Sequence, residues 1–334
     1  MRRSVKRLSI GIAFLLLVLL MGEWFCRAEL GLGDPPLSRA DPQIEYLFVG
    51  PRVYHRFGHI IEYNEFSQRT HAIAGRRIDP AEIRVVVCGD SVINGGNQTD
   101  QSELATSLLE KRLVSDFHRP AAVMNVSAAS WGPPNYDAYI HRYGLFEANA
   151  LVIVVSSHDF ADSPTFAPVV GTADYPDVTP TFALEEAITR YLPRYLPHFG
   201  RTAGTASPAA PPAGVANVTQ GQIDQAMGAF RDLVKTAQAS HIPVIVAQHL
   251  EQAEYGKSEW EGHAAFRKAC DELHVTRIEL SEIFGTAMKA GKQPYRDNIH
   301  PNPLGQSLMA DAIYPSLQAA IAATGSAPAT QGGR

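Results

Sequence analysis

Two short stretches, far apart in the chain, hold the residue types of acyl-transfer chemistry. The first is Gly89-Asp90-Ser91 and the second is Asp297-Asn298-Ile299-His300-Pro301-Asn302. A serine hydroxyl becomes a nucleophile when a base lies within hydrogen-bond reach and an acceptor orients that base. Asp297 and His300, three apart on one loop ahead of a helix, can both face one crevice. Each stretch alone also has an ordinary reading. Gly-Asp-Ser occurs in turns where Asp and Ser cap helices, and Asp297 could cap a helix-entry turn with His300 incidental. Found together at the same end of a sheet, the two stretches favour chemistry. The serine does not sit in a G-x-S-x-G elbow, because Ile93 stands in the place of the second glycine.

The elements that must position these residues are read from hydrophobic pattern. Strands are expected over 83–88, 121–126, 150–156, 242–247 and 276–280. The first and third are near-continuous apolar runs that suit strands buried on both faces. Helices are expected over 102–117, 136–146, 219–240, 262–273 and 303–322, the first with Leu104, Leu108, Leu109 and Leu113 near one face. Alternating strands and helices imply a parallel sheet covered on both sides, an α/β fold of three layers with flavodoxin-like order. In such sheets ligands bind beyond the carboxyl ends of the strands. The long interruption over 160–218 reads as a lid, a binding loop or disorder. It contains a short amphipathic helix over 183–192, stopped by Pro193, and a flexible loop over 200–218 rich in Ala, Pro, Gly and Thr.

The two chemical stretches, one after the first strand and one before the last helix, resemble the first and last sequence blocks of the SGNH/GDSL hydrolase family. The likeness covers 83–323. The segment Tyr63-Asn64-Glu65-Phe66-Ser67-Gln68-Arg69 also resembles the lead-in of membrane-anchored bacterial members. The resemblance implies the SGNH hydrolase fold, with Ser91 as nucleophile, His300 as general base and Asp297 as its orienting carboxylate. The middle blocks depart from the family pattern. Ser130 falls where the family has an oxyanion glycine, with Gly132 as the alternative; a main-chain amide serves from any residue but proline. The third block reads Ser156-Ser157-His158-Asp159, with His158 in the slot of an oxyanion asparagine. Imidazole can donate one hydrogen bond in either tautomer, so the expected hole is Ser91, Ser130 or Gly132, and His158. A second acid–base role, or a histidine that merely caps the strand end, are the other readings of His158. Gln248-His249 after the fourth strand, and Trp131 and Tyr136 near the second, could face the same crevice. His249 and Trp131 are taken as substrate-binding candidates, with core packing the commoner explanation for such aromatics.

The chain has 334 residues, 45% hydrophobic and 19% charged, with a net charge of −5. No basic stripe lies beyond the first seven residues, so nucleic acid is not an expected partner. Three scattered cysteines, Cys26, Cys88 and Cys270, make neither a disulfide framework nor a zinc site. No phosphate loop, dinucleotide fingerprint or metal-ligand spacing is present, so neither a cofactor nor a metal is expected. Arg2, Arg3, Lys6 and Arg7 precede an apolar run from Leu8 to Gly22, and Trp24 and Phe25 follow. Basic residues stay cytoplasmic and aromatics favour the interface. A single span of the bacterial inner membrane is expected, with the remainder periplasmic or extracytoplasmic. A cleaved signal peptide competes, but Cys26-Arg27-Ala28 is a poor cleavage site. The expected organisation is a basic tip and anchor over 1–29, a stalk and lead-in over 30–80, a catalytic domain over 81–325 and a disordered tail over 326–334. His55, Arg56 and His59 in the lead-in have no metal-like spacing. The resemblance implies ester chemistry on an O-linked acyl group of an envelope or extracellular glycan, by hydrolysis or by transfer. Polysaccharide export or modification proteins are possible partners. The alternative is an idle domain of the same fold that binds polysaccharide or scaffolds an export complex.

Overall fold

The computed structural model describes residues 2–195 and 218–325. All but the last residue of the loop expected over 200–218, and the tail expected over 326–334, lie outside them. The chain opens with α1 (Arg2–Ala28). Two antiparallel hairpins follow, β1 (Ser38–Asp41) with β2 (Glu45–Phe48) and β3 (Arg52–Arg56) with β4 (His59–Tyr63). The alternating part runs β5 (Ile83–Gly89), a single turn α2 (Ser91–Asn94), α3 (Ala105–Phe117), β6 (Ala121–Ser127), α4 (Pro133–Tyr143) and β7 (Ala150–Ser156). Then come α5 (Ala183–Glu186), a π-type segment (Ala187–Tyr191), α6 (Leu192–Tyr195), α7 (Gln220–Ala239) and β8 (Val244–His249). The series closes with α8 (Glu261–Leu273), β9 (Thr276–Glu279), α9 (Leu280–Lys289) and α10 (Pro303–Gly325).

Strands β5 to β9 form one parallel sheet in the order β6-β5-β7-β8-β9. Counted within the sheet this is 2-1-3-4-5, the flavodoxin-like order, with a switch point beside the first strand. Alternation along each strand divides the core in two. Val86 and Cys88 of β5 pack with Met124, Ile153 and Val246 against α4, α7 and α8. Val85 and Val87 pack with Val123, Val152 and Ile245 against α3, α9 and α10. The three-layer α/β/α class expected from the sequence is therefore the observed one.

Three local features differ from the sequence reading. The helix α9 was not expected, because the 276–280 strand was read without a following helix. Its Leu280, Phe284 and Ala287 are buried at four- and three-residue spacing, so the signal was present but short. Residues 38–63, read as weakly patterned, form the two hairpins. The turn between β3 and β4 has both Phe57 (φ 53°) and Gly58 (φ 81°) in the left-handed region. That is the backbone of a primed two-residue turn, normally signalled by Asn-Gly, and phenylalanine there hides it. Pro193 does not stop the 183–192 helix. It follows the π-type segment Ala187–Tyr191 and lies inside α6, where wider backbone spacing relieves the clash of its ring with the preceding turn.

Candidate active site

Gly89 ends β5 because nothing larger fits. A Cβ there would lie 2.9 Å from both the Val154 carbonyl oxygen and Ile93 Cγ2. Asp90 then caps α2, its Oδ1 accepting the Val92 N–H at 2.8 Å, and Ser91 becomes the first residue of the turn. Ser91 Oγ lies 2.9 Å from His300 Nε2, across 209 residues of sequence. On its other side His300 Nδ1 is 2.8 Å from Asp297 Oδ2 and 3.0 Å from Oδ1. A carboxylate only accepts, so Nδ1 carries the proton and donates it to Asp297. Nε2 is then the free lone pair and accepts from the Ser91 hydroxyl. Burial would raise the Asp297 carboxyl, but bonds from the His300 ring and from the His300 and Ile299 amides hold it well below the usual carboxylate range. The structure thus brings Ser91, His300 and Asp297 into one relay.

The loop that carries His300 is fastened from several sides. Gln252 N–H donates to the Asn298 carbonyl at 2.7 Å, and Asn298 Nδ2 donates to Glu251 Oε2 at 2.6 Å. His249 Nε2 donates to the Ile299 carbonyl at 2.8 Å. Arg296 Nη1 donates to the Gly95 carbonyl at 2.9 Å, so the loop also grips the turn just after the serine. From the opposite side Arg69, wholly buried, donates to the carbonyls of Asn94, Gly96 and Thr99. Gln306 of α10 donates to the Val92 carbonyl at 2.8 Å and accepts the Ala105 N–H at 2.9 Å. Sequence reasoning named Arg69 only as part of the lead-in and missed Arg296, Glu251 and Gln306 as supports. Arg69, Arg296 and Gln306 bond main-chain carbonyls and amides, which leave no residue-type signature, and Glu251 meets the Asn298 side chain only once the loop is folded.

The expected oxyanion set is altered by the structure. The Ser91 and Ser130 main-chain N–H groups have no hydrogen-bond partner among the described residues, and Ser130 is exposed at φ 58°. Gly132 is a correction: its N–H donates to Asn135 Oδ1 at 2.9 Å, an intrahelical cap that takes the donor out of use. His158 is a second correction. Its Nε2 lies 3.5 Å from Asp90 Oδ2 and 3.4 Å from Asp159 Oδ1, and its Nδ1 lies 3.5 Å from Glu251 Oε1. Burial favours the neutral ring, but the three carboxylates outweigh it and raise His158 well above the ordinary histidine value. Burial likewise works to raise Asp90, and His158, the Val92 amide and His300 together bring it below the usual range. His158 thus sits among three acids, one of which, Asp159, burial pushes well above the usual carboxylate range, rather than standing as a lone donor over the crevice. The cluster also bears on metals. One ligand atom each from Asp90, His158 and Asp159 lies within 4.8 Å of the others, a grouping that sequence spacing could not show because Asp90 comes from another strand. Both ring nitrogens of His158 lie within 3.5 Å of a carboxylate oxygen, the arrangement of an ion-paired ring.

Two substrate-binding candidates are also corrected. Trp131 is 2% exposed and packs between Tyr46 and Tyr139, so no sugar ring can reach its face. Tyr136 is completely buried beside it in the same core. His249 is 1% exposed and braces Ile299; burial lowers it to about 4, so it is neutral at pH 7. It supports the loop of His300 from beneath and does not meet the crevice.

The chain matches no family model and no curated protein. Among solved structures it is similar to a lipolytic G-D-S-L family member from Veillonella parvula, at 10% identity and a TM-score of 0.42, covering 71% of this chain and 98% of that one. It is also similar to an acetylxylan esterase from Geobacillus stearothermophilus, a catalytic mutant, at 11% identity and 0.43, covering 70% and 94%. A third is a psychrotrophic esterase from Pseudoalteromonas, at 15% identity and 0.41, covering 71% and 97%.

Proposed function

We propose that this chain is a membrane-anchored serine esterase or O-acyltransferase that acts on an O-acylated envelope glycan. The observation that carries this reading is the 2.9 Å contact between Ser91 Oγ and His300 Nε2, with Asp297 behind the ring. Ser91 Oγ attacks the acyl carbonyl carbon as its proton passes to His300 Nε2. The tetrahedral intermediate collapses, the C–O bond to the glycan breaks, and the leaving oxygen takes that proton. Water or an acceptor hydroxyl then gives a proton to Nε2 and attacks the acyl carbon; the bond from that carbon to Ser91 Oγ breaks, and Oγ takes the proton back from Nε2. The Ser91 and Ser130 amides are the candidate oxyanion donors.

The anchor is supported by how α1 ends. Residues Val5–Ala28 have a mean hydropathy of 2.2 and none of that helix's apolar window is buried. Yet Glu23 accepts the N–H groups of Ala183 and Leu184, both at 2.9 Å, and Arg27 Nη2 donates to the Thr181 carbonyl at 2.8 Å. Cleavage after Ala28 would strip away contacts on which the 181–186 segment is built, which favours a retained span; the basic residues Arg2, Arg3, Lys6 and Arg7 ahead of it favour the domain on the extracytoplasmic side. The engaged Gly132 amide and the clasped His158 favour a second reading, an idle domain that binds glycan or scaffolds its export. Hydrolysis of p-nitrophenyl acetate by the full chain in detergent separates the two. Turnover lost in Ser91→Ala supports catalysis, and equal hydrolysis by both forms supports the idle domain.

A further inference from the structure

Where α1 leaves its apolar run, the domain presents an unusual surface. Leu184 packs its Cδ2 toward Gly22, 3.4 Å from where a Cβ would stand, and the Glu23 carboxylate caps the start of α5. The exposed Trp24 (64%) and Phe25 (50%) sit at this same level of α1. In the segment that packs there, Phe182, Ile188 and Leu192 are also exposed, at 59%, 56% and 43%. Glu185, Ile188, Thr189 and Leu192 follow helical spacing and form one outward stripe of two apolar and two polar side chains, while Ala183 and Glu186 turn inward. The inward side packs Ala183, Leu184, Ala187 and Tyr191 with Cys26 and Leu32, and buries Glu186 among them.

The buried charge on that side is held firmly. Glu186, 3% exposed, pairs with the wholly buried Arg56 of β3 and accepts the Gly33 N–H at 2.6 Å. Arg56 Nη1 also donates to the Gly31 carbonyl at 2.7 Å. The Phe57 ring lies edge-on to Tyr191, with centroids 5.3 Å apart. The 182–192 segment, the β3–β4 turn and the end of α1 therefore form one packed base, which carries the exposed Phe182, Ile188 and Leu192.

We infer that this stripe is a second membrane contact: Phe182, Ile188 and Leu192 insert into the lipid interface beside α1 and fix the tilt of the domain over the bilayer. The occupant is lipid because the segment that carries these side chains joins the apolar helix at Gly22 and Glu23, just before Trp24 and Phe25, where aromatics partition to the headgroup boundary. Apolar side chains on one face of a segment lying in that plane are the usual form of such a contact. The inference rests on the reading of α1 as a retained span. The consequence is functional, since a second contact keeps the Ser91 crevice at one fixed orientation to the membrane instead of swinging on a single tether.

The test is photolabelling of the full chain in vesicles of phosphatidylcholine and phosphatidylglycerol whose acyl chains carry a diazirine. After irradiation, labelled positions are mapped by proteolysis and mass spectrometry. Label is expected on α1 and on the peptide holding Phe182 and Ile188, at least five-fold above the peptide holding Val114, an exposed apolar residue of α3. In Phe182→Ser/Ile188→Ser, label on the 182–192 peptide is expected to drop while label on α1 persists. Label on α1 with none above the Val114 background at 182–192 overturns the inference and leaves the anchor standing. No label on α1 overturns the anchor reading and this inference with it.

Discussion

One carboxylate of Asp297 does two things for one residue: Oδ1 accepts the His300 main-chain N–H at 2.8 Å while Oδ2 accepts the His300 Nδ1–H, also at 2.8 Å. The turn cap and the orienting acid, which the sequence offered as competing roles, are the same group. Asp297→Asn is therefore a clean probe. Asparagine Oδ1 keeps the cap, but its NH2 faces Nδ1 and favours the tautomer with the proton on Nε2, where it cannot accept from Ser91. Turnover of p-nitrophenyl acetate is expected to fall by about 10³–10⁴, with the thermal midpoint little changed. A loss under tenfold would show that His300 does not depend on Asp297 for its tautomer.

The supports predict differently from the relay. Arg69→Met removes donors from the carbonyls of Asn94, Gly96 and Thr99. At about 1–3 kcal/mol per buried unmet group, the loss of stability is expected to reach about 3 kcal/mol in denaturant unfolding. Destabilisation below about 1 kcal/mol would mean that water replaces the guanidinium and that Arg69 does not lock the turn after Ser91.

Arg296→Ala frees the His300 loop from Gly95 while leaving Asp297, His300 and Ser91 chemically intact. Expected is a fall in kcat of about tenfold or more from lost positioning, with KM nearly unchanged and most activity recovered in Arg296→Lys. A change confined to KM would place Arg296 on the substrate instead.

His158, partly exposed, and His249, buried, act on stability in opposite pH ranges. His158 is raised by Asp159, Asp90 and Glu251 against the effect of burial. Its stabilisation is complete below its unfolded value, about 6.5, and is lost as pH rises through its higher folded value. His249 is lowered by burial to about 4. Between pH 6.5 and 4 the unfolded chain takes up a proton that the folded one refuses, so stability falls by about 3 kcal/mol over that range. Urea unfolding across pH 4.5–9 is expected to show His249→Gln with a flatter acid limb and His158→Asn with a flatter alkaline limb. Wild-type limbs retained in both variants would contradict these assignments.

The sequence carried the sheet well because β5 and β7 are buried on both faces and so read as unbroken apolar runs. It carried Ser91, Asp297 and His300 because their spacing relative to the strands is itself the signal. It did not carry the hairpins, whose primed turn is filled by Phe57 instead of Asn-Gly. Nor could it show that Trp131 and His249 point into packed layers, since residues after a strand can turn either way. The His158 cluster was invisible for a further reason: Asp90, Asp159 and Glu251 come from the ends of three strands and meet only once the sheet has formed.

The central claim is that His300 makes Ser91 nucleophilic. A fluorophosphonate probe reads this directly by forming a phosphonyl bond to an activated serine oxygen. The folded wild-type chain is expected to take up one label, mapped to Ser91, with none in Ser91→Ala and labelling at least a hundredfold slower in His300→Ala. Absence of label in the folded wild type, or equal labelling rates in wild type and His300→Ala, would contradict the account.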